Sequence, residues 1–215
     1  MPIAVARSTV RIEIPFMIAV TALLFYQGRD GSISLADGGV LMVAFAAYMM
    51  YLYTMAMKSN VDSDLEEPGL PLGRCLLGAV GGLALIIAGS NVTVGAATSI
   101  ATYAGLSERF IGLTIVALGT SLPELFPSVA AARRGNADIA IGNIVGSNIF
   151  NILFVVGLSS LIIDIPFASA FNFDTYVALG AAVLLWLCVL RTQRLQRWAG
   201  ALMLVCYAAY LGYIL

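Results

Sequence analysis

The stretch LTIVALGTSLPELFPSVAAARRG, residues 113–135, decides the fold of this chain. Arg109 and Arg133 bracket a run that would form about 35 Å of helix, which is enough to cross a membrane. Glu124 is far from both ends of this run, so its carboxylate is predicted to lie deep in the bilayer. A charge there costs at least about 2.5 kcal/mol, and it therefore needs a cation, a proton or a polar cavity.

The neighbours of Glu124 can provide such a cavity. Thr120 and Ser121 precede it by four and three residues, so the three side chains share one helical face, and Ala117 lies one turn further along that face. Pro123 has no N–H, so the carbonyl four residues earlier loses its helical partner. Converging carbonyl, hydroxyl and carboxylate oxygens are the ligands of a hard cation. The alternative is a proline-kinked helix with a protonated glutamate and no transport role.

The composition requires a lipid environment for most of the chain. Of the 215 residues, 60% are hydrophobic and 11% are charged, whereas an ordinary soluble domain is about a quarter charged. The net charge of −1 argues against a nucleic-acid partner. There is no histidine, so the commonest transition-metal ligand and the commonest general base are both missing. Any metal site must therefore be built from oxygens.

The apolar runs predict an all-α polytopic membrane protein with about seven transmembrane helices. Residues 1–57 form two helices, residues 58–74 a polar cytoplasmic loop, and residues 75–215 a five-helix region. Gly78 and Gly82 in the long third span form a GxxxG pair, which indicates close helix packing. The predicted spans are Glu13–Gln27, Gly38–Met57, Cys75–Tyr103, Phe110–Ala132, Ile139–Ile163, Thr175–Leu190 and Trp198–Leu215.

The basic residues predict the orientation of these spans. With the N-terminus in the cytoplasm, only Arg29 and Arg109 lie outside, and the C-terminus is outside as well. The inside residues are then Arg7, Arg11, Lys58, Arg74, Arg133, Arg134, Arg191, Arg194 and Arg197. Nine of the eleven basic residues then lie inside, and such an excess of Lys and Arg is typical of cytoplasmic loops.

The fifth span, DIAIGNIVGSNIFNILFVVGL at residues 138–158, carries a polar stripe. Asn143, Ser147 and Asn151 follow one another at intervals of four residues, and Gly142 and Gly146 flank the stripe. Amides and small residues also hold membrane helices together, so packing alone is an alternative interpretation. Next to a broken helix with a buried carboxylate, the stripe is predicted to complete an ion site.

Two motifs together resemble an alpha-repeat of the sodium/calcium exchanger family, in the calcium/cation antiporter superfamily. They are GTSLPEL at residues 119–125 and GNIVGSNIFN at residues 142–151. The resemblance runs from about Leu72 to Leu215, like the family's C-terminal five-helix half, and residues 8–57 resemble the two helices before it. It implies a secondary active antiporter and not an enzyme, which moves Ca²⁺ or a similar cation against Na⁺ or H⁺ by alternating access in a prokaryotic inner or plasma membrane.

The resemblance also implies roles for single residues. Glu124 resembles the second-repeat glutamate, Thr120 and Ser121 its hydroxyl partners, and the Ala117 carbonyl a sodium ligand. The third span resembles a gating helix. The resemblance also implies that the chain is one inverted-repeat half of a sodium/calcium exchanger fold, in which two of the seven helices are broken at the midplane. The resemblance implies no cofactor, and it implies that Na⁺ and Ca²⁺ bind as transported ions. The full predicted ligand set is Ala117, Thr120, Ser121, Glu124, Asn143, Ser147 and Asn151.

Two departures from the family pattern bear on the partners. Asn151 stands where many members have aspartate, and no second GTSLPE-like run occurs in residues 1–71. One carboxylate suits Na⁺, whereas dehydrated Ca²⁺ takes six to eight oxygens and favours further negative ligands. A first-repeat half or another copy of the chain is therefore the expected partner, together with the bilayer. The rival functions are a non-transporting membrane subunit and an intramembrane enzyme, and the latter lacks a histidine to pair with Ser121 or Ser147.

Overall fold

A computed structural model of the chain describes residues 3–58, 71–106, 111, 114–115 and 117–214. Most of the predicted loop 58–74 and Arg109 lie outside these described residues. The chain divides into two compact units, which are described separately. The first unit is Met1–Asn60 with Ala131–Tyr210, and the second is Val61–Ala130 with Leu211–Leu215.

The described residues are almost entirely helical. The α-helices are α1 Ile14–Gln27, α2 Leu35–Lys58, α3 Leu72–Tyr103, α4 Ala117–Thr120, α5 Leu122–Arg133, α6 Ala137–Phe150, α7 Gly157–Ser160, α8 Ala170–Leu190 and α9 Arg197–Ile214. The π-helical segments Thr9–Glu13 and Asn151–Val156 continue directly into α1 and out of α6. Thr114 and Ile115 of the fourth span also have π-helical geometry. The strands are β1 Ile3–Ala4, β2 Ser32–Ile33, β3 Ile165–Pro166 and β4 Arg194–Leu195.

Among the described residues, five helical segments are long and apolar enough to cross a membrane. They are Thr9–Asp30, Leu35–Lys58, Gly73–Tyr103, Asp138–Ser160 and Phe171–Leu190. They correspond to the first, second, third, fifth and sixth predicted spans, and the prediction of a multi-pass membrane protein is confirmed. The fourth span is only partly described, and the seventh coincides with α9. The count of seven and the two breaks at the midplane stay predictions.

The core of the first unit is a continuous apolar seam. Val145, Ile149 and Leu153 are spaced by four residues, and each is fully buried. They cluster with Ile14 of α1 and Leu41 of α2. Burial of a branched aliphatic side chain contributes roughly 1.5–3 kcal/mol relative to water, although lipid is itself apolar, so between membrane helices the gain is mainly one of close packing.

Small residues bring α2 and α7 together in the same unit. A Cβ added at Gly38 would overlap the Ser160 hydroxyl oxygen and would lie 2.8 Å from the carbonyl oxygen of Gly157. Ser160 keeps its own hydroxyl satisfied by donating to the Gly157 carbonyl at 2.9 Å. This is the close backbone approach that small residues permit in membrane helix pairs.

Two antiparallel strand pairs fix which connections share an end of the first unit. β1 pairs with β4, with Ile3 opposite Leu195, and β2 pairs with β3, with Ile33 opposite Ile165. β1 precedes α1 and β2 follows it, so the pairs lie towards opposite ends of this helix. Each pair joins two segments that the charge pattern assigns to the same side of the membrane.

Glycines follow the ends of α3, which precedes the fourth span, and α5, which is its last helix. Gly105 and Gly135 have φ values of +78° and +83°, a left-handed conformation that glycine adopts without steric cost. The N–H of Leu106 donates to the Ala101 carbonyl at 3.0 Å, and the N–H of Asn136 donates to the Ala131 carbonyl at 2.9 Å. Both are Schellman ends, which satisfy the last helical carbonyls before the chain turns.

In the second unit, α3 packs against α4. A Cβ at Gly119 would overlap the Val94 side chain, so this glycine allows a close approach as well as a bend. The GxxxG pair behaves differently, since no described atom lies within 4 Å of a Cβ built at Gly78 or Gly82. The close packing predicted for that pair is therefore absent among the described residues.

Candidate functional site

The fourth span is interrupted where the sequence carries its polar motif. α4 ends at Thr120, Ser121 forms a turn, and α5 begins at Leu122. The Ser121 N–H donates to the Leu118 carbonyl at 3.1 Å, which is a tight bond across three residues. Pro123 has no N–H and lies in the first turn of α5, a position where helices tolerate proline. The proline thus separates two helical pieces.

Glu124 lies in the first turn of α5. The partial positive charge at a helix N-terminus favours a carboxylate at this position. The side chain is half-buried, and its Oε2 atom is closed off from the surface. Thr120 and Ser121, which precede Glu124 at the interruption, are exposed on the surface of the chain. Ala117 is the first residue of α4.

Ser128 lies one turn after Glu124 in α5 and is bonded to it. Its hydroxyl donates to the Glu124 carbonyl at 2.7 Å, and its side chain is buried. The sequence prediction did not include Ser128. The signal was available, because Ser128 follows Glu124 by four residues and lies on the same helical face.

The polar stripe of the fifth span lies in the first unit. Asn143 and Ser147 are half-buried on α6, and the Ser147 hydroxyl contacts the Ile144 carbonyl at 3.1 Å. Asn151 is exposed and is the first residue of the π-helical segment Asn151–Val156. Such segments are rare and occur frequently at functional sites. The sequence pattern predicts the polar stripe but not the change from α to π geometry.

The structure therefore brings the predicted residues together in two sets. Thr120, Ser121 and Glu124 form one set in the second unit, and the stripe forms the other in the first unit. No group of three or more Asp, Glu, Cys or His side chains that could hold a metal occurs among the described residues. A cation held here would depend on hydroxyl, amide and carbonyl oxygens around one carboxylate. That the two sets form one ion site stays a prediction.

Comparisons with known proteins agree with this reading of the motifs. A family model described as sodium/calcium exchanger protein matches residues 75–215. The chain is 36% identical to the putative antiporter CaxA of Alkalimonas amylolytica, over 97% of the chain and 69% of that protein. It is 37% identical to the inner membrane protein YrbG of Escherichia coli, over 75% of the chain and 52% of that protein.

A solved structure gives the same result for the fold. The chain superposes on the sodium-calcium exchanger NCX_Mj with a TM-score of 0.79 and 29% identity, over 100% of the chain and 68% of that protein. The chain thus spans about half the length of the Escherichia coli relative and about two thirds of the other two proteins.

Proposed function

Because the chain belongs to the sodium/calcium exchanger family of cation antiporters, we propose that it supplies the second-repeat half of such an antiporter. It is an integral, multi-pass membrane protein of a transporter family. In the proposed organisation, residues 1–57 form two preceding helices, residues 58–74 a cytoplasmic loop, and residues 75–215 the repeat.

One observation carries the proposal, namely a carboxylate at an interrupted helix within an apolar span. Glu124 lies directly after the interruption at Ser121 and before a second proline, Pro127. Intramembrane ionisable residues are costly and mark ion pathways, and interrupted membrane helices expose backbone polar groups where a cavity needs them. In the proposed site, Glu124 is the charged ligand.

The remaining predicted ligands contribute neutral oxygens. Thr120 and Ser121 supply hydroxyls, and Ala117 supplies a backbone carbonyl. From the fifth span, Asn143, Ser147 and Asn151 supply amide and hydroxyl oxygens. Crystals of the matched exchanger were soaked with Na⁺ and Sr²⁺ or with Na⁺ and Ca²⁺, which supports Na⁺ and Ca²⁺ as the ions of this site.

The charge of the proposed site determines what else it needs. A single carboxylate can balance one Na⁺, whereas a dehydrated Ca²⁺ favours a second negative ligand. We assign that ligand to a first-repeat half, on this polypeptide or on another, whose inverted topology would place its own broken helix against this one. The bias of basic residues supports a cytoplasmic N-terminus in a prokaryotic inner membrane.

Reconstitution in liposomes tests the proposal. The 215-residue chain would be purified alone and after co-expression with a first-repeat half from a matched relative. With an outward Na⁺ gradient, we expect Ca²⁺ uptake from the pair and none from the chain alone. Robust uptake by the chain alone, abolished by Glu124→Gln, would contradict the need for a partner half. Absence of any Na⁺- or Ca²⁺-dependent stabilisation would favour a non-transporting membrane subunit.

A further inference from the structure

The long helix α3 carries several hydroxyl side chains, and most of them form the same kind of hydrogen bond with their own helix. Thr93, Ser99 and Thr102 each donate to the carbonyl four residues earlier, at 2.8, 2.9 and 2.9 Å. All three side chains are exposed. Serine and threonine in membrane helices commonly satisfy their hydroxyl in this way, because lipid offers no other acceptor.

Ser90 does not form this hydrogen bond. Its side chain is 6% exposed, so it is one of the few buried residues of α3. Its hydroxyl oxygen is completely covered, and it forms no hydrogen bond with any residue that the structure describes. A buried hydroxyl without a partner is unfavourable, so each such group in a folded protein requires an explanation. One explanation is that a bound ligand supplies the missing interaction.

The packing of α3 indicates where that ligand would be. Ser90 and Val94 are four residues apart and share a helical face, and Val94 meets Gly119 of the fourth span. Val94 precedes Gly105 by 11 residues and Gly119 follows it by 14. Because these two residues are in contact, α3 and the fourth span run antiparallel.

The position of Ser90 relative to Glu124 follows from this pairing. Ser90 precedes Val94 by one turn, about 6 Å along α3, and Glu124 follows Gly119 by five residues across the interruption at Ser121. In an antiparallel pair both steps lead away from the Gly105 turn, so Ser90 lies on the part of α3 that runs beside the interruption. All these residues belong to the second unit.

We propose that Ser90 supplies a further oxygen ligand to the cation bound at Glu124. The proposal rests on the proposed function, because it adds α3 to the ion site of the fourth span. A serine hydroxyl is a neutral oxygen donor of the kind that Na⁺ and Ca²⁺ accept.

Thermal unfolding of the purified chain, titrated with NaCl against choline chloride, tests this role. In Ser90→Ala, the Na⁺ concentration for half-maximal stabilisation should rise about threefold to tenfold, the effect of one lost polar contact. Ser90→Thr keeps the hydroxyl and should restore the wild-type midpoint. Ser99→Ala is the matched control, because it removes a hydroxyl of the same helix that is already satisfied, and its midpoint should not change.

The unfolding temperature without Na⁺ separates a ligand from a packing residue. A ligand role predicts that Ser90→Ala does not lower this temperature, because the hydroxyl that is removed has no partner. A lower temperature in choline alone, with no recovery in Ser90→Thr, would show that Ser90 acts through packing and would overturn the proposal.

Two further outcomes distinguish this inference from the proposed function. If Glu124→Gln abolishes the Na⁺ response and Ser90→Ala leaves it unchanged, the inference is wrong and the ion site of the fourth span stands. If the wild-type chain responds to neither Na⁺ nor Ca²⁺, both are overturned, because Ser90 would then have no cation to bind.

Discussion

The fourth and fifth spans are both apolar segments with oxygen-bearing side chains. They differ in how they depart from a regular α-helix. The fourth span is interrupted at Ser121, with Pro123 and Pro127 just beyond. The fifth span contains no proline between Asp138 and Ser160 and stays helical throughout, changing to π geometry at Asn151.

The difference shows two ways of building polar groups into a membrane helix. A proline removes an N–H and leaves a carbonyl without its helical donor, so the fourth span can offer backbone oxygens as well as its glutamate. A π-helical segment keeps its backbone bonds and inserts one residue, which changes the direction of the side chains. The fifth span therefore offers side-chain oxygens. The variants below are ordered from the largest expected effect to the smallest.

The largest effect is expected at the charge of the fourth span. Glu124→Gln preserves shape and removes the carboxylate, so it should abolish Na⁺- and Ca²⁺-dependent thermal stabilisation while the chain still folds. Asp138→Asn is the matched control, since it removes an exposed carboxylate from the first turn of α6. Its ion response should equal that of the wild type. An unchanged response in Glu124→Gln would remove Glu124 from the site.

The fold was largely readable from the sequence, because hydrophobic length and charge bias are strong one-dimensional signals. α3 was predicted from Cys75 and begins at Leu72, a shift within the usual uncertainty of helix ends. The interruption of the fourth span was predicted from Pro123, since a missing N–H has a local and certain consequence. The motifs GTSLPEL and GNIVGSNIFN led to the correct family.

What the sequence did not show depends on contacts between distant residues. The role of Gly119 as a contact with Val94 requires α3 and the fourth span to be packed. The covered hydroxyl of Ser90 could not be told from the other hydroxyls of α3, because its burial depends on neighbours far along the chain. The π-helical segment Asn151–Val156 contains no proline or glycine that would have indicated its geometry in the sequence.

A smaller effect is expected at the start of the π-helical segment. Asn151→Asp adds a carboxylate to the stripe, and a divalent ion gains twice the Coulomb energy of a monovalent one. The Ca²⁺ concentration for half-maximal stabilisation should fall about tenfold relative to that of Na⁺. Asn148→Asp is the control, because Asn148 is exposed on the same helix and is bonded to the Ile144 carbonyl. Equal ion preference in both variants would show that Asn151 does not face the ion.

The smallest effect is expected from repairing the interruption itself. Pro123→Ala restores an N–H that can donate to the Gly119 carbonyl, a bond worth about 1 kcal/mol net. The unfolding temperature without ions should therefore rise by roughly 2–4 °C. The same bond occupies the Gly119 carbonyl, which Pro123 leaves free to join the carbonyl, hydroxyl and carboxylate oxygens that the sequence predicts to converge on the cation. The Na⁺ midpoint should therefore rise about threefold in the same variant.

The control for this repair lies one turn further along α5. Pro127→Ala restores a donor for the Pro123 carbonyl, which lies beyond the interruption. We expect a similar gain in unfolding temperature and no change in the Na⁺ midpoint. If both variants gain stability and neither binds Na⁺ more weakly, the freed carbonyl at Gly119 is not a ligand. The fourth span would then contribute only side-chain oxygens, and its difference from the fifth span would be one of shape.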